Sequence, residues 1–194
     1  VRAYAEAGGP PTPNIDGLAR RGVLFRNAWS SPVCSPTRAG IHTGTNPSRN
    51  FVGAIIEDGG ELEERELTLP ELLDHAESGY AHALIGKWHL GVTAAGELAP
   101  NTIGGWSHFA GLLDGQADYF QWPRTVNGVT ATSRVYATTQ MVDDALAWID
   151  GQTGPWFAVL SFNAPHKPFH APPINLHTRP IMLPGIRQHY TAMV

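Results

Sequence analysis

The sequence has little that would tie it to a membrane, a nucleic acid or a cross-linked scaffold. Its 194 residues include one cysteine, which excludes an internal disulfide framework. It has no basic run and a net charge of −4, which argues against a nucleic-acid-binding surface. No apolar run approaches the roughly 20 residues that span a bilayer. Any specificity for anions must therefore come from a local site.

The composition is that of a globular protein. Hydrophobic residues make up 42% of the chain and charged residues 15%, so the sequence does not have the composition of a disordered segment. Its length of 194 residues suits one domain with a sizeable core. The sequence begins at Val1 without a charged-then-apolar leader, so we expect a processed product or a fragment.

The single cysteine, Cys34, begins the stretch Cys34-Ser35-Pro36-Thr37-Arg38, which a Thr43-Gly44 pair follows. Pro36 suits the first turn of a helix, which places Cys34 at or just before the helix N-terminus. The free N–H groups and the dipole favour negative charge at that point. Arg38, about one turn further along, is close enough to hold the Cys34 side chain or an anionic substrate. The alternative is that Cys34 is a small buried hydrophobic residue.

A second candidate segment follows the predicted strand 81–85, where Gly86-Lys87-Trp88-His89-Leu90-Gly91 occurs. In an extended segment the side chains of residues i and i+2 share a face, so Lys87 and His89 are predicted to point the same way. A cation beside an imidazole can bind an oxyanion. The alternative is a surface lysine beside a histidine that is satisfied by its neighbours.

The third segment lies after the almost continuously apolar run 156–162. Such a run favours a central strand of a parallel sheet, covered on both faces. Ligands of open α/β sheets bind beyond the carboxyl ends of strands, where His166 occurs. His166 and His170 also have the i, i+4 spacing of a zinc-binding helix, but the prolines at 165, 168, 172 and 173 exclude that helix. The sequence therefore predicts an α/β fold.

The remaining elements follow from local patterns. We predict a short helix between residues 12 and 22, a buried strand at 23–25, and a helix from Thr68 to about Ser78 with a Thr68/Glu71 capping box. A strand at 118–122, an Asn127-Gly128 hairpin turn and a helix within 133–150 come next. The aromatic residues Trp106, Phe109, Tyr119 and Trp122 belong either to a specificity pocket or to the core.

Carboxylates cluster between residues 57 and 66. A run of like charges is usually a solvated face, so we interpret the cluster as such a face and not as a metal site. Its members are Glu57, Asp58, Glu61, Glu63, Glu64 and Glu66.

Three of these patterns together resemble the sulfatase family. They are Cys-x-Pro-x-Arg with its Thr-Gly pair, Gly79-Tyr80 with the 86–91 motif, and Pro-His-x-Pro at 165–168. The resemblance implies an alkaline phosphatase-like fold, with a mostly parallel central sheet flanked by helices. It implies a sulfuric ester hydrolase in which a modifying enzyme converts Cys34 to formylglycine. By the same match Arg38 and Lys87 act electrostatically, His89 bonds the formylglycine hydroxyl, and His166 serves the sulfate or the leaving group.

The resemblance also implies a calcium ion, which the modified residue 34 contacts. The family's acidic metal ligands precede the helix at residue 12 or follow the Pro-His element, and this sequence does not contain them. We therefore expect residues 1–194 to be a partial catalytic domain that lacks its first strand and its C-terminal part. Such a chain would bind calcium weakly and hydrolyse little. Because many members of the family are exported, the resemblance favours a periplasmic or secreted location.

The sequence also allows two alternatives to a sulfatase. A phosphonate or phosphate-ester hydrolase can use the same scaffold, and an inactive relative could serve as a binding module. The expected partners are a sulfate-ester substrate and the modifying enzyme, without a nucleic acid and without a membrane span.

Overall fold

The structure, a computed structural model, describes residues 2–4, 10–57, 60–177 and 185–194. The chain divides into two compact units, a larger one of Ser31–Asn163 and a smaller one of Val1–Ser30 with Ala164–Val194. Among the described helices, none is both long enough and apolar enough to cross a lipid bilayer.

One sheet organises the larger unit. Among the described residues it has five strands in the order β4-β3-β2-β1-β5. Strand β1 pairs in parallel with both β2 and β5, and an antiparallel hairpin of β3 and β4 extends the sheet beyond β2. The α/β class is confirmed, with a parallel part that carries a hairpin. The strands are β1 (Ala81–Lys87), β2 (His108–Leu112), β3 (Trp122–Val126), β4 (Val129–Ser133) and β5 (Trp156–Ser161).

The helices of the larger unit cover this sheet and connect its strands. The capping box at Thr68 and Glu71 is confirmed: the Thr68 N–H donates to the Glu71 carboxylate at 2.8 Å. The helix ends at His75, earlier than predicted, because Glu77 adopts a left-handed conformation with φ 48°. The helices are α2 (Cys34–Thr43), α3 (Pro47–Asn50), α4 (Leu69–His75), α5 (Ala99–Thr102) and α6 (Ala137–Asp150).

The smaller unit contains α1 (Pro13–Arg21) and α7 (Ile186–Met193). The predicted helix between residues 12 and 22 is confirmed. The predicted buried strand at 23–25 is wrong, because these residues form no strand and the side chains of Val23 and Phe25 are 79% and 70% exposed.

Strand β5 was predicted to be a central strand of the sheet, and it lies instead at an edge of the described sheet. Its parallel pairing with β1 agrees with the sequence, but among the described residues it is an edge strand. Its apolar side chains are also incompletely covered, as Trp156 is 43% and Leu160 40% exposed. An edge strand pairs on one side only, so its apolar run is not enclosed as that of β1 is.

The hairpin turn at Asn127-Gly128 is confirmed, with φ above zero at both residues. The strand predicted at 118–122 is wrong. Asp118 instead forms a turn in which its carboxylate accepts the N–H groups of Phe120 and Gln121, and β3 begins at Trp122. An aspartate that bonds backbone two residues on favours a turn over a strand.

Of the two predicted places for the large aromatic residues, a specificity pocket or the core, the structure shows the core. Trp106, Phe109, Tyr119 and Trp122 are each at most 1% exposed, which excludes them from an open specificity pocket. Trp106 stacks on Phe157 of β5, with the ring centroids 5.7 Å apart. The four rings therefore contribute to the packed core of the larger unit.

Two glycines allow the three parallel strands to approach closely. Gly86 has φ 110°, and a Cβ atom there would collide with the backbone of Ser161. A Cβ atom on Gly111 would collide with the backbone of Gly86. Only glycine fits these positions, so β2, β1 and β5 meet tightly just before Lys87.

Candidate active site

Cys34 is the first residue of α2, as the sequence predicted. Pro36 lies buried in the first turn, where no backbone N–H is needed. The Thr37 hydroxyl donates to the carbonyl oxygens of Val33 and Ser31 at 3.0 and 3.2 Å, which fixes the loop that leads into the helix. The helix ends at Gly44, which adopts the left-handed conformation with φ 68°. Cys34 is half-buried at a helix end that favours negative charge.

Lys87 and His89 both reach the cysteine. Nδ1 of His89 lies 3.1 Å from Sγ of Cys34, and Nζ of Lys87 lies 3.9 Å from the same atom. The predicted reason was partly wrong, because β1 ends at Lys87 and His89 is not extended. It has φ 57°, a left-handed conformation that is uncommon outside glycine. Such backbone outliers cluster at functional sites.

Arg38 connects the helix to the sheet. Its Nη1 donates to the carbonyl oxygen of Lys87 at 2.6 Å and to the Ser161 hydroxyl at 2.7 Å. The guanidinium therefore spans α2 and the carboxyl ends of β1 and β5. Its Nε is buried without a hydrogen-bond partner among the described residues. Sequence reasoning missed Ser161, because nothing in the apolar run 156–162 marks its last serine as a partner of a residue 123 positions earlier.

Two buried positive charges, those of Arg38 and Lys87, lie at this edge of the sheet. Burial lowers the pKa of the Arg38 guanidinium and of the Lys87 ammonium, because desolvation penalises their charged forms. Within the described ranges no ion pair joins either cation to a carboxylate. Two desolvated cations beside a helix N-terminus form a site that an anion would stabilise.

His89 has a second contact, with the carboxylate of Glu57. Nε2 of His89 lies 3.4 Å from Oε1 of Glu57. Burial and the charge of Lys87 lower the pKa of His89, so its ring is neutral near pH 7. Sequence reasoning placed Glu57 on a solvated face, and 60% of its side chain is indeed exposed. No local pattern signals a contact across 32 residues.

The other carboxylates of the 57–66 cluster do not assemble a metal site. Glu61 accepts the N–H and the hydroxyl of Thr93 at 3.0 and 2.6 Å, and Asp58 lies outside the described residues. Across residues 2–4, 10–57, 60–177 and 185–194 no group of three histidine, cysteine or acidic residues could hold an ion. Calcium prefers six to eight oxygen ligands, so the described residues do not by themselves fit that ion.

His166 belongs to the smaller unit, where it is exposed and its Nδ1 lies 2.7 Å from the carbonyl oxygen of Lys167. Its role at the site stays a prediction. The segment 165–170 is not helical, so His166 and His170 do not share a helix face.

His42, on α2, is a buried histidine that sequence reasoning did not single out. It is 3% exposed, and its ring centroid lies 5.7 Å from that of Trp88 and 5.6 Å from that of Trp106. Burial, together with the charge of Arg38, lowers the pKa of His42 to about 4. The ring is therefore neutral in the folded protein across the physiological range.

His42 should make stability depend on pH. Because the unfolded pKa is about 6.5, the unfolded chain binds the proton first, and the contribution of His42 is complete above that pH and lost as pH falls towards 4. Between pH 7 and pH 5 the free energy of unfolding should fall by about 2 kcal/mol on this account. Urea titrations of His42→Leu should lack this decrease, whereas the exposed His75→Gln should retain it. An equal pH dependence in His42→Leu and wild type would contradict the assignment.

Comparisons with known proteins place these features in context. The family model described as "Sulfatase" matches residues 4–175. An arylsulfatase of Klebsiella aerogenes is 29% identical over 184 residues, which cover 84% of this chain and 39% of the relative. The N-acetylgalactosamine-6-sulfatase of Homo sapiens is 42% identical over 91 residues, covering 41% of this chain and 17% of the relative. The chain thus spans less than half the length of these curated relatives.

Two solved structures are similar to this chain in fold, and each again is covered only in part. The crystal structure of Ps i-CgsB in complex with k-i-k-neocarrahexaose superimposes with a TM-score of 0.80 at 26% identity, over 98% of this chain and 48% of that chain. The structure of BT4656 in complex with its substrate D-glucosamine-2-N,6-O-disulfate superimposes with a TM-score of 0.69 at 29% identity, over 85% of this chain and 32% of that chain.

Proposed function

This chain belongs to the sulfatase family, and from that premise we propose that the protein carrying it hydrolyses sulfate esters at the site around Cys34. The chain covers only part of its relatives, so residues 1–194 are proposed to be a partial catalytic domain. The remaining parts of the site, including the oxygen ligands of a calcium ion, would come from outside the described residues.

The observation that carries the proposal is the contact of the Lys87 ammonium and the His89 imidazole with Cys34, beside the buried Arg38 guanidinium. Hydrolysis of a sulfate ester needs a nucleophile, stabilisation of negative oxygens and control of proton position. The Lys87 ammonium, 3.9 Å from Sγ, would hold a sulfate oxygen. The Arg38 guanidinium, fixed by the Lys87 carbonyl and Ser161, adds positive charge that does not have to reorganise.

The nucleophile is proposed to arise from Cys34 by a two-electron oxidation for which a separate modifying enzyme supplies the oxidant: the carbon–sulfur bond breaks, sulfur leaves at the oxidation level of sulfide, and a carbonyl oxygen takes its place. One hydroxyl group of the hydrated aldehyde would then attack the sulfur of the ester while the bond from that sulfur to the alcohol oxygen breaks and the alcohol leaves. Loss of the proton of the second hydroxyl group would expel sulfate and regenerate the aldehyde. Nδ1 of His89, now 3.1 Å from Sγ, would accept a hydrogen bond from the group at position 34 and hold it in line. We propose that His166 assists the leaving oxygen or binds a sulfate oxygen.

Mass spectrometry of the tryptic peptide Asn27–Arg38 tests the proposal. The full-length protein, expressed with an active modifying enzyme, should yield this peptide with an aldehyde or its hydrate in place of the Cys34 thiol. If Cys34 stays a thiol while a control sulfatase in the same cells is converted, the assignment fails and an inactive binding module becomes the better description.

Turnover then separates the two hydrolase classes. The converted protein should hydrolyse the sulfate ester of a phenol faster than the corresponding phosphonate ester, and the reverse order would favour the phosphonate hydrolase. Relatives are named for aryl sulfates and for N-acetylgalactosamine-6-sulfate, so the panel should contain an aryl sulfate and a sulfated monosaccharide.

A further inference from the structure

An imidazole that carries one proton has it on either Nδ1 or Nε2, and this position decides what the ring of His89 can do at Cys34. If the proton is on Nε2, the lone pair of Nδ1 faces Sγ and can accept a hydrogen bond from the group there. If the proton is on Nδ1, the same nitrogen can only donate. The partner of Nε2 therefore controls the chemistry at Nδ1.

The partner of Nε2 is the carboxylate of Glu57, at 3.4 Å. An ionised carboxylate has no proton to donate, so it can bond to Nε2 only as an acceptor. The hydrogen bond from its own backbone N–H lowers the pKa of Glu57, which keeps the carboxylate ionised near neutral pH. The geometry thus favours the tautomer with Nε2–H and a free lone pair on Nδ1.

The backbone of His89 leaves the ring few other constraints. Its N–H donates to the Leu113 carbonyl at 2.8 Å, and its backbone is left-handed with φ 57°. Both ring nitrogens are then occupied, one by Sγ and one by Glu57, so these two contacts set the rotation of the ring. Glu57 is mostly exposed on its other sides, and no ion pair with Lys87 competes for its carboxylate within the described residues.

We infer that Glu57 is a positioning residue, which fixes the orientation and the tautomer of His89 so that Nδ1 accepts a hydrogen bond from the group at position 34. The part of this inference that concerns turnover rests on the proposed sulfatase function. The part that concerns the ring does not, because the contact occurs with the unmodified cysteine.

Nuclear magnetic resonance of the full-length, unmodified protein labelled with 15N-histidine tests the ring directly. The His89 signals, assigned by their loss in His89→Asn, should show a protonated Nε2 and an unprotonated Nδ1 in wild type. In Glu57→Ala the two ring shifts should move towards each other, because both tautomers become populated. The control Glu64→Ala removes an exposed carboxylate of the same cluster and should leave the His89 shifts unchanged. Wild-type ring shifts in Glu57→Ala would overturn the inference.

Kinetics of the converted protein test the consequence. Carboxylates that orient a histidine typically contribute 10–100-fold, so kcat of Glu57→Ala should fall by about that factor while KM stays within about twofold. Glu57→Gln keeps the size of the side chain but can either accept from or donate to Nε2. Across wild type, Glu57→Gln and Glu57→Ala, kcat should rank with the fraction of His89 that carries Nε2–H.

The two hypotheses fail in different ways. A protein without sulfatase activity but with the expected ring shifts would contradict the proposed function and leave the role of Glu57 intact. An active protein in which kcat does not follow the tautomer would contradict the role of Glu57 alone.

Discussion

If the proposed function is right, replacing Cys34 by alanine should reduce kcat/KM for sulfate esters by at least about 10³-fold, because alanine cannot be converted to the proposed formylglycine nucleophile. The substitution removes one half-buried sulfur atom whose polar contacts are His89 at 3.1 Å and Lys87 at 3.9 Å. The helix start does not depend on this side chain, since the first turn is set by Pro36 and by the Thr37 hydroxyl. The folded state should therefore survive.

Initial rates on the full-length protein, expressed with the modifying enzyme, provide the measurement. Thermal unfolding should show a Tm within a few degrees of wild type, which separates lost chemistry from lost structure. Ser48→Ala, on the exposed side of the short helix α3, serves as the control with unchanged rates. Retention of a tenth or more of the wild-type rate in Cys34→Ala would show that Cys34 does not supply the nucleophile.

Replacing Lys87 by methionine should reduce kcat/KM by about 10²–10³-fold, the usual loss when one preorganised group that stabilises developing charge is removed. Methionine has a similar length and fills the same space, so packing against β2 and β5 changes little. What disappears is one of the two desolvated positive charges beside Cys34.

Stability should change in the opposite direction. Burial lowers the pKa of Lys87, which means that its charged form is less favourable in the folded chain than in the unfolded chain. Lys87→Met removes that penalty, so its Tm should equal or exceed that of wild type. Arg65→Met removes an exposed cation of the 57–66 loop and should change neither activity nor stability appreciably. A clear loss of stability in Lys87→Met would show that the lysine is a structural and not a functional cation.

The parts of the site that the sequence predicted are those encoded by local patterns. Pro36 marks a helix start wherever it occurs in such a context, and the Cys34–Thr43 helix begins where this rule requires. The strand before Lys87 follows from its apolar residues, and its parallel pairing from the absence of alternation in 156–162.

The parts that the sequence did not predict depend on distant residues. Ser161 and Glu57 reach the site across 123 and 32 positions, and neither lies in a pattern that distinguishes it from neighbouring serines or carboxylates. Tertiary contacts impose the left-handed backbone conformation of His89, because this conformation is unfavourable for a residue that has a side chain. The solvent exposure of the apolar side chains of β5 likewise depends on which elements pack against this edge strand. The residues of the strand itself do not determine that packing.

The two hydrogen bonds of Arg38 have a consequence for local unfolding. One Nη1 atom donates to β1 and to β5, and β5 is an edge strand of the described sheet. Edge elements with incomplete burial open at lower free energy than the centre of a sheet. If β5 detaches, Arg38 loses Ser161 as an acceptor and keeps only the Lys87 carbonyl oxygen on β1. We therefore expect the position of the guanidinium beside Lys87 to depend on how firmly this edge strand is held.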